Sequence, residues 1–290
     1  MTLEVRRGEA FGFLGPNGAG KTTAVKLLLG LAHATSGAGT LLGAPLGDRR
    51  VRRRIGYLPE LFRYQEWLSG REVLGLHGAL AGVKRSTRRA EIGRALEDVG
   101  LFERAGDRVG TYSKGMQQRL GLAVASLGSP DLVFLDEPTS ALDPIGRLDV
   151  RSLIARLRAR GTTVFLNSHL LGEVERVCDR VAIVDRGRII ASGAVDELLG
   201  RGSGVRLRLG ELGPGADEVL HRAGTLEREA GCYLIRGLRP ADIPALVAAL
   251  VARQTDVYAV EPLRATLEER FLEALGGAHA APDDRLAHPA

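Results

Sequence analysis

The hydrophobic pattern divides the chain into two stretches of different texture. In the first, short unbroken apolar runs end abruptly in glycines or polar side chains: AFGFL at 10–14, LVFL at 132–135 and TVFLNS at 163–168. Runs of this length without alternation predict strands buried on both faces, as in a parallel sheet. Between them the apolar residues recur at helical spacing. A helix is predicted from Lys21 to about Leu31. The stretch from about 66 to 128 reads as helical, with REVLGLHGAL and STRRAEIGRALEDVGL showing i, i+3/i+4 periodicity. In SKGMQQRLGLAVASLG, residues Met116, Leu120, Val124 and Leu127 fall on one stripe. VAIVDRGRIIASG at 181–193 predicts a hairpin turning at Arg186-Gly187.

After the glycine-rich linker RGSGV at 200–204 the texture changes. VRLRL, ADEVLHRA, two short strands around Gly231, PADIPALVAALVARQ, DVYAV and ATLEERFLEAL follow one another. That is a βαββαβ order with a closing helix, enough for a small α+β unit. The predicted organisation is an α/β domain over 1–200 with a helical subdomain at about 66–128, and an α+β accessory domain over 205–276. The Ala, Gly, Pro and Asp tail at 277–290 is expected to be disordered.

Composition narrows the class. Apolar residues make up 44% of the 290, which suits a soluble globular protein. A formal charge of +5 is too mild to argue for nucleic acid as a partner. The arginine run RRVRRR at 49–54 reads as a solvated face. Cys178 and Cys232 form no CxxC pair, and a reduced, cytoplasmic setting fits them. His33, His77, His221, His279 and His288 show no metal-ligand spacing. The opening MTLEVRRGEA lacks the apolar run of a secretory signal. The longest apolar stretch, LGLAVASLGSPDLVFL, is broken by Pro130 and Asp131 and is too short to span a bilayer. Any membrane role therefore calls for a separate spanning chain.

The chemistry begins where the first apolar run stops. Residues 15–22 read GPNGAGKT, a match to G-x-x-x-x-G-K-[ST] placed between a strand and a helix. In such a loop, Gly15, Pro16, Asn17, Gly18, Ala19 and Gly20 present backbone N–H groups to phosphate oxygens. Lys21 reaches the β- and γ-phosphates, the Thr22 hydroxyl can ligate Mg²⁺, and Thr23 continues the helix tip. The run LVFLDEP ends in two carboxylates. A parallel strand delivers its C-terminal residues to the ligand edge of the sheet. Asp136 can then hold Mg²⁺ through a water. Glu137, on the other side of the strand, can take a proton from an attacking water. His169 closes TVFLNSH in the same way, within reach of the terminal phosphate. In YSKGMQQR, Ser113 is a good N-cap and Gly115 leaves the first turn open, so this helix tip offers a second anion site.

Taken together and in order, GPNGAGKT, YSKGMQQR, LVFLDEP, SALD and NSH resemble the ATP-binding subunit of an ATP-binding-cassette (ABC) transporter. The resemblance covers residues 1–200 and implies a P-loop NTPase fold, binding of ATP and Mg²⁺, and hydrolysis by Glu137 with His169 as the switch histidine. It implies that Ser113, Lys114, Gly115 and Met116 act in trans, on a nucleotide held by a second copy. Met116 stands where the family usually has glutamine. Ser140-Ala141-Leu142-Asp143 matches the loop through which the two halves meet. IGYLPE, LSGREVLGLHG and HLLGEVERVCDRVAIVDRGRIIASG resemble the ABC-2 export group of drug, antibiotic and polysaccharide exporters. The C-terminal α+β unit resembles an extension found in some of them.

Two departures stand out. Glu60 in GYLPE replaces the usual glutamine that senses Mg²⁺, and a carboxylate there can still serve the metal. The N-terminus is shorter than usual for the family, without its first edge strand and its adenine-stacking aromatic; Tyr57, Phe62 and Tyr64 lie on a different loop. The resemblance implies an ATPase that works as a homodimer or heterodimer of ATP-binding subunits with a separate membrane permease, on the inner face of the cell membrane. The alternatives are a soluble ABC-type ATPase acting on ribosomes or DNA, and a nucleotide-binding regulator with impaired adenine binding.

Overall fold

The computed structural model describes residues 1–140, 142–199, 204–229, 231–263 and 266–280. Two compact units result, one holding Met1–Val195 and the other Asp196–Glu273.

The first unit contains β1 (Ala10–Leu14), α1 (Lys21–Leu28), the two-residue strands β2 (Thr40–Leu41) and β3 (Ala44–Pro45), β4 (Ile55–Leu58), α2 (Gly70–Leu80), α3 (Arg85–Asp98), α4 (Lys114–Ser126), β5 (Leu132–Asp136), α5 (Pro144–Ala159), β6 (Thr163–Asn167), α6 (Leu171–Val177), β7 (Arg180–Asp185) and β8 (Arg188–Ala194). Six strands form one sheet in the order β4-β5-β6-β1-β7-β8. All pairs are parallel except the β7–β8 hairpin, which turns at Arg186 and Gly187, both with positive φ.

The unbroken apolar runs lie at the centre of this sheet, and β1, β5 and β6 are buried at every position. Phe165 pairs in register with Phe11 on one side and Phe134 on the other. Their ring centroids stand 5.8 and 5.1 Å apart, an aromatic ladder that contributes about 0.5–1.5 kcal/mol per pair beyond area burial. The same register aligns Phe13 and Asp136 with Asn167, so β1, β5 and β6 end together at one edge.

Several local expectations need correction. Helix α1 stops at Leu28 instead of Leu31, where the Leu31 N–H turns back to the Lys26 carbonyl. The three helical segments expected between 66 and 128 are α2, α3 and α4, with a long irregular segment before Ser113. Helix α4 buries far more than one stripe. Gln118, Leu120, Gly121, Leu122, Ala123 and Ala125 are all buried, while Met116 and Val124 are only half-buried. The cause is that α4 packs on β4 and β5 and also against α2 and α3. The arginines at 49–54 are exposed, as the reading of a solvated face expects, on a short 3₁₀ helix around a buried Val51.

The closest approach of α4 to the sheet is at Gly56, where an added Cβ would lie 1.8 Å from the Ala125 carbonyl oxygen. Backbone on backbone cannot yield as a side chain would. Gly56→Ala is therefore expected to destabilise the first unit by about 3 kcal/mol or more. Thermal unfolding followed by circular dichroism checks this, and an unchanged transition would contradict the packing described.

After the short helix α7 (Val195–Leu199), the second unit runs β9 (Gly204–Leu209), α8 (Ala216–Ala223), β10 (Thr225–Glu229), β11 (Cys232–Arg236), α9 (Ile243–Val251), β12 (Val257–Pro262), with α10 (Leu267–Ala280) closing the chain. Its antiparallel sheet has the order β10-β11-β9-β12, a split βαβ arrangement. Alternation in β9 explains the core: Val205, Leu207 and Leu209 are buried with Leu220, Ile235, Leu246 and Leu250, while Arg206 and Arg208 face outward. Helix α10 continues to Ala280, beyond Gly276 where the tail was expected to begin. Residues 281–290, the linker positions 200–203 and Ala141 lie outside the described residues.

Candidate functional site

The site is built at the edge where β1, β5 and β6 end. Residues 15–20 leave β1 as a loop that turns directly into α1. Gly18 and Gly20 have φ of 80° and 99°, in the left-handed region that favours glycine. Gly15 passes so close to the sheet that an added Cβ would lie 2.3 Å from the Val184 carbonyl oxygen. The loop is closed by Ala19 N–H to the Pro16 carbonyl and by Gly187 N–H to the Ala19 carbonyl. Asn17 and Gly18 are exposed, as are Thr22 and Thr23 in the first turn of α1. That turn carries no acidic residue, so the positive end of the helix dipole is uncompensated.

Lys21 is buried, and its ammonium donates to the carbonyls of Gly15 (2.7 Å) and Pro16 (3.1 Å). Burial pulls its pKa below the ordinary lysine value, against the opposing influence of Glu137, Asp136 and Glu60. Those three carboxylates thus surround the lysine electrostatically, although Glu60 comes from the loop after β4 and is exposed. Asp136 ends β5 and is almost wholly buried. Its carboxyl is pushed up mainly by burial; the hydrogen bond from Asn167 Nδ2 opposes this, Glu60 and Glu137 add to it, and Lys21 opposes it.

Glu137 does not continue the strand alternation that the sequence suggested. It leaves β5 with φ of 51°, a conformation costing about 1–3 kcal/mol for a non-glycine residue. Its N–H donates to the Asn167 carbonyl at 2.8 Å, and its own carbonyl accepts from Ser140 Oγ at 3.1 Å. This turn points the carboxylate at His169, whose Nδ1 lies 2.7 Å from Oε2. The pair is off hydrogen-bond alignment, and Glu137 Oε2 is a buried oxygen with no hydrogen-bond donor among the described residues; Asn167 Oδ1 is another. His169 itself is more than half exposed.

These oxygens fit a hard cation such as Mg²⁺. Among the described residues no group of three His, Cys, Asp or Glu side chains is placed to hold a metal ion. A Mg²⁺ here would thus depend on phosphate oxygens and water as well as protein.

The second predicted anion site is built separately. Ser113 caps α4, its Oγ accepting from the Met116 N–H at 3.2 Å. Ser113 and Lys114 are exposed, and Gly115 and Met116 are half-buried. The helix is braced by Gln118, whose buried amide donates to the Pro138 carbonyl at 3.1 Å. Beside its tip, a Cβ on Gly115 would meet Leu142 at 3.5 Å, and Asp143 caps α5 through the Gly146 N–H. Within this chain no described hydrogen bond joins Ser113 to residues 15–22.

Two contributors were missed from the sequence. Asn167 lay in the quoted TVFLNSH but was read only as strand. Gln118 lay in YSKGMQQR but was read only as helix. The one available signal was that each is a polar residue at a position where apolar neighbours predict burial. Phe62 and Tyr64 meet at a tilt of 49° with centroids 5.3 Å apart, and Tyr64 meets His77 of α2 edge-on. They are therefore engaged with the helical region.

The chain's likenesses agree with this geometry. The ABC transporter family model matches residues 1–140. An uncharacterized ABC transporter ATP-binding protein of Synechocystis is 41% identical over 278 residues, covering 95% of this chain and 77% of that protein. A Bacillus subtilis protein of the same description, YhcH, is 36% identical over 283 residues, covering 95% and 90%. The Nod factor export ATP-binding protein I of Burkholderia orbicola is 40% identical over 201 residues, covering 69% and 66%. Among solved structures, the ATP-binding subunit of an ABC transporter superposes with a TM-score of 0.62 at 32% identity, over 66% of this chain and 81% of that one. A dimeric ATP-binding cassette in a post-hydrolysis state with ADP and Pi gives the same TM-score at 23% identity, over 67% and 88%, and shares the fold. The chain therefore belongs to the ABC transporter ATP-binding proteins: it is an ATPase subunit that binds and hydrolyses ATP to power a transporter.

Proposed function

We propose that this chain powers export through a separate membrane permease, and that two ATP-binding subunits close on ATP so that each nucleotide is held by both. The observation that carries this reading is the division of the site. Lys21, Asp136, Glu137 and His169 converge at one sheet edge, while the tip at Ser113 is exposed, carries no acidic residue in its first turn and makes no described hydrogen bond to residues 15–22.

In this reading the Met1–Val195 unit is the ATP-binding domain, with α2, α3 and α4 as its helical part, and the Asp196–Glu273 unit is an accessory domain. Residues Gly15 to Thr23 cradle the phosphates. Lys21 exchanges the Gly15 and Pro16 carbonyls for β- and γ-phosphate oxygens. Thr22, Asp136 and Glu60 would hold Mg²⁺, directly or through water, and the bound ion would supply positive charge against that developing on the phosphates. Glu137 takes the proton of the attacking water, and His169, 2.7 Å from that carboxylate, reaches toward the terminal phosphate as the switch histidine. Ser113, Lys114, Gly115 and Met116 contact the terminal phosphate from the partner copy, with the helix dipole favouring the anion.

The relatives named as Nod factor export ATP-binding proteins support export as the direction of transport. Among the described residues no helix is long and apolar enough to cross a membrane. Leu61 and Trp67, 88% and 72% exposed on the segment after Glu60, would be apolar contacts for the permease. That would place the subunit at the inner face of the membrane.

A mixing experiment tests the shared site. Lys21→Ala and Ser113→Arg are each expected to lack turnover when purified and assayed alone. Mixed, they form heterodimers with one intact composite site, and ATP hydrolysis returns. If the mixture stays as inactive as either variant, the two copies do not share their nucleotides.

A further inference from the structure

Asn167 ends β6 with only 2% of its surface exposed, and the reading above gives it no task. Yet it holds both acidic residues. Its Nδ2 donates to Asp136 Oδ1, in a short hydrogen bond, and its main-chain carbonyl accepts the Glu137 N–H at 2.8 Å. A strand pair alone would provide only the second of these. The side-chain bond fixes the Asp136 carboxylate about its last torsion and uses one oxygen, which leaves the other available.

The second feature is the orphan. Asn167 Oδ1 is buried and has no donor among the described residues. A buried acceptor without a donor is destabilising, and native proteins seldom tolerate one unless a bound water, ion or ligand completes it. Asn167 stands in register with Asp136 on one side and with Phe13, two residues before Gly15, on the other. It thus lies between the carboxylate strand and the phosphate loop, the position of the second layer around a metal held by Asp136.

We infer that Asn167 is a positioning residue for the metal site, its Nδ2 orienting Asp136 and its Oδ1 accepting a hydrogen bond from a water bound to the metal. This rests on the assignment of Mg²⁺ to Asp136 made above. The amide is suited to the task because it offers a donor and an acceptor at once. A serine at this position is too short to make both contacts, and a leucine has the shape without either group.

The test uses the full chain and Mn²⁺ as a paramagnetic probe, titrated with ATP present and read by electron paramagnetic resonance. Asn167→Leu is expected to weaken Mn²⁺ binding about tenfold or more, the usual effect of losing an outer-layer partner. Binding of a fluorescent ATP analogue in excess EDTA is expected to stay unchanged. Asn167→Ser carries the same expectation and decides the matter if the leucine variant does not fold. Mn²⁺ affinity within about twofold of the parent in a folded variant would overturn the inference. So would an equal loss of metal-free ATP binding, which marks a merely structural role. If the parent chain itself fails to bind Mn²⁺ with ATP, the metal assignment fails first and the inference falls with it.

Discussion

Replacing Lys21 by alanine is expected to weaken ATP binding by about 100-fold or more. Each charge-assisted hydrogen bond to a phosphate oxygen is worth about 1.5–3 kcal/mol, and tenfold in affinity corresponds to about 1.4 kcal/mol. The ammonium donates to the Gly15 and Pro16 carbonyls, two partners that it can release without unfolding the loop. Burial has already removed it from water, so little further desolvation opposes its transfer to phosphate. Alanine cannot bridge that distance, and the backbone N–H groups and helix dipole alone must then hold the anion. Arginine is no remedy, because a planar fork does not fit a space shaped around a point charge. Titration with a fluorescent ATP analogue reads the effect directly. Affinity within about threefold of the parent would show that the phosphates do not occupy this loop.

The second large effect concerns chemistry rather than binding. Glu137→Gln is expected to slow ATP hydrolysis by about 10²–10⁴-fold, the usual contribution of a positioned general base, while leaving ATP affinity nearly unchanged. Glutamine has the same length and accepts the left-handed backbone at 137 as readily as glutamate does. Its amide still reaches His169, but it cannot take a proton. Single-turnover phosphate release separates this from a defect in assembly. Hydrolysis within about tenfold of the parent would assign the base elsewhere.

Much of this frame was legible in the sequence, and for definite reasons. AFGFL, LVFLD and TVFLN carry no polar alternation, so they had to be buried on both faces, and buried parallel strands place their C-terminal residues at one edge. Asp136 and His169 could therefore be put beside the phosphate loop before any geometry was known. The Arg186-Gly187 turn was legible from local chemistry alone. What could not be read was set by tertiary packing. The periodicity of α4 names one stripe, but the helix is buried more widely because Gly56 lets it sit directly on β4. The turn-out of Glu137 depends on a bond to Asn167 from a neighbouring strand, which no local pattern encodes. Asn167 and Gln118 escaped notice because single polar residues within an apolar run carry no spacing signal. The tip at Ser113 was legible as a helix start, and its Oγ does cap α4 through the Met116 N–H.

Size-exclusion chromatography of the full-length Glu137→Gln chain, run with and without saturating Mg-ATP, tests the shared site most directly. ATP is expected to shift the chain from monomer to dimer, and a further Ser113→Arg substitution is expected to abolish that shift without loss of ATP binding by the monomer. A Glu137→Gln chain that binds ATP and still elutes as a monomer would contradict the account.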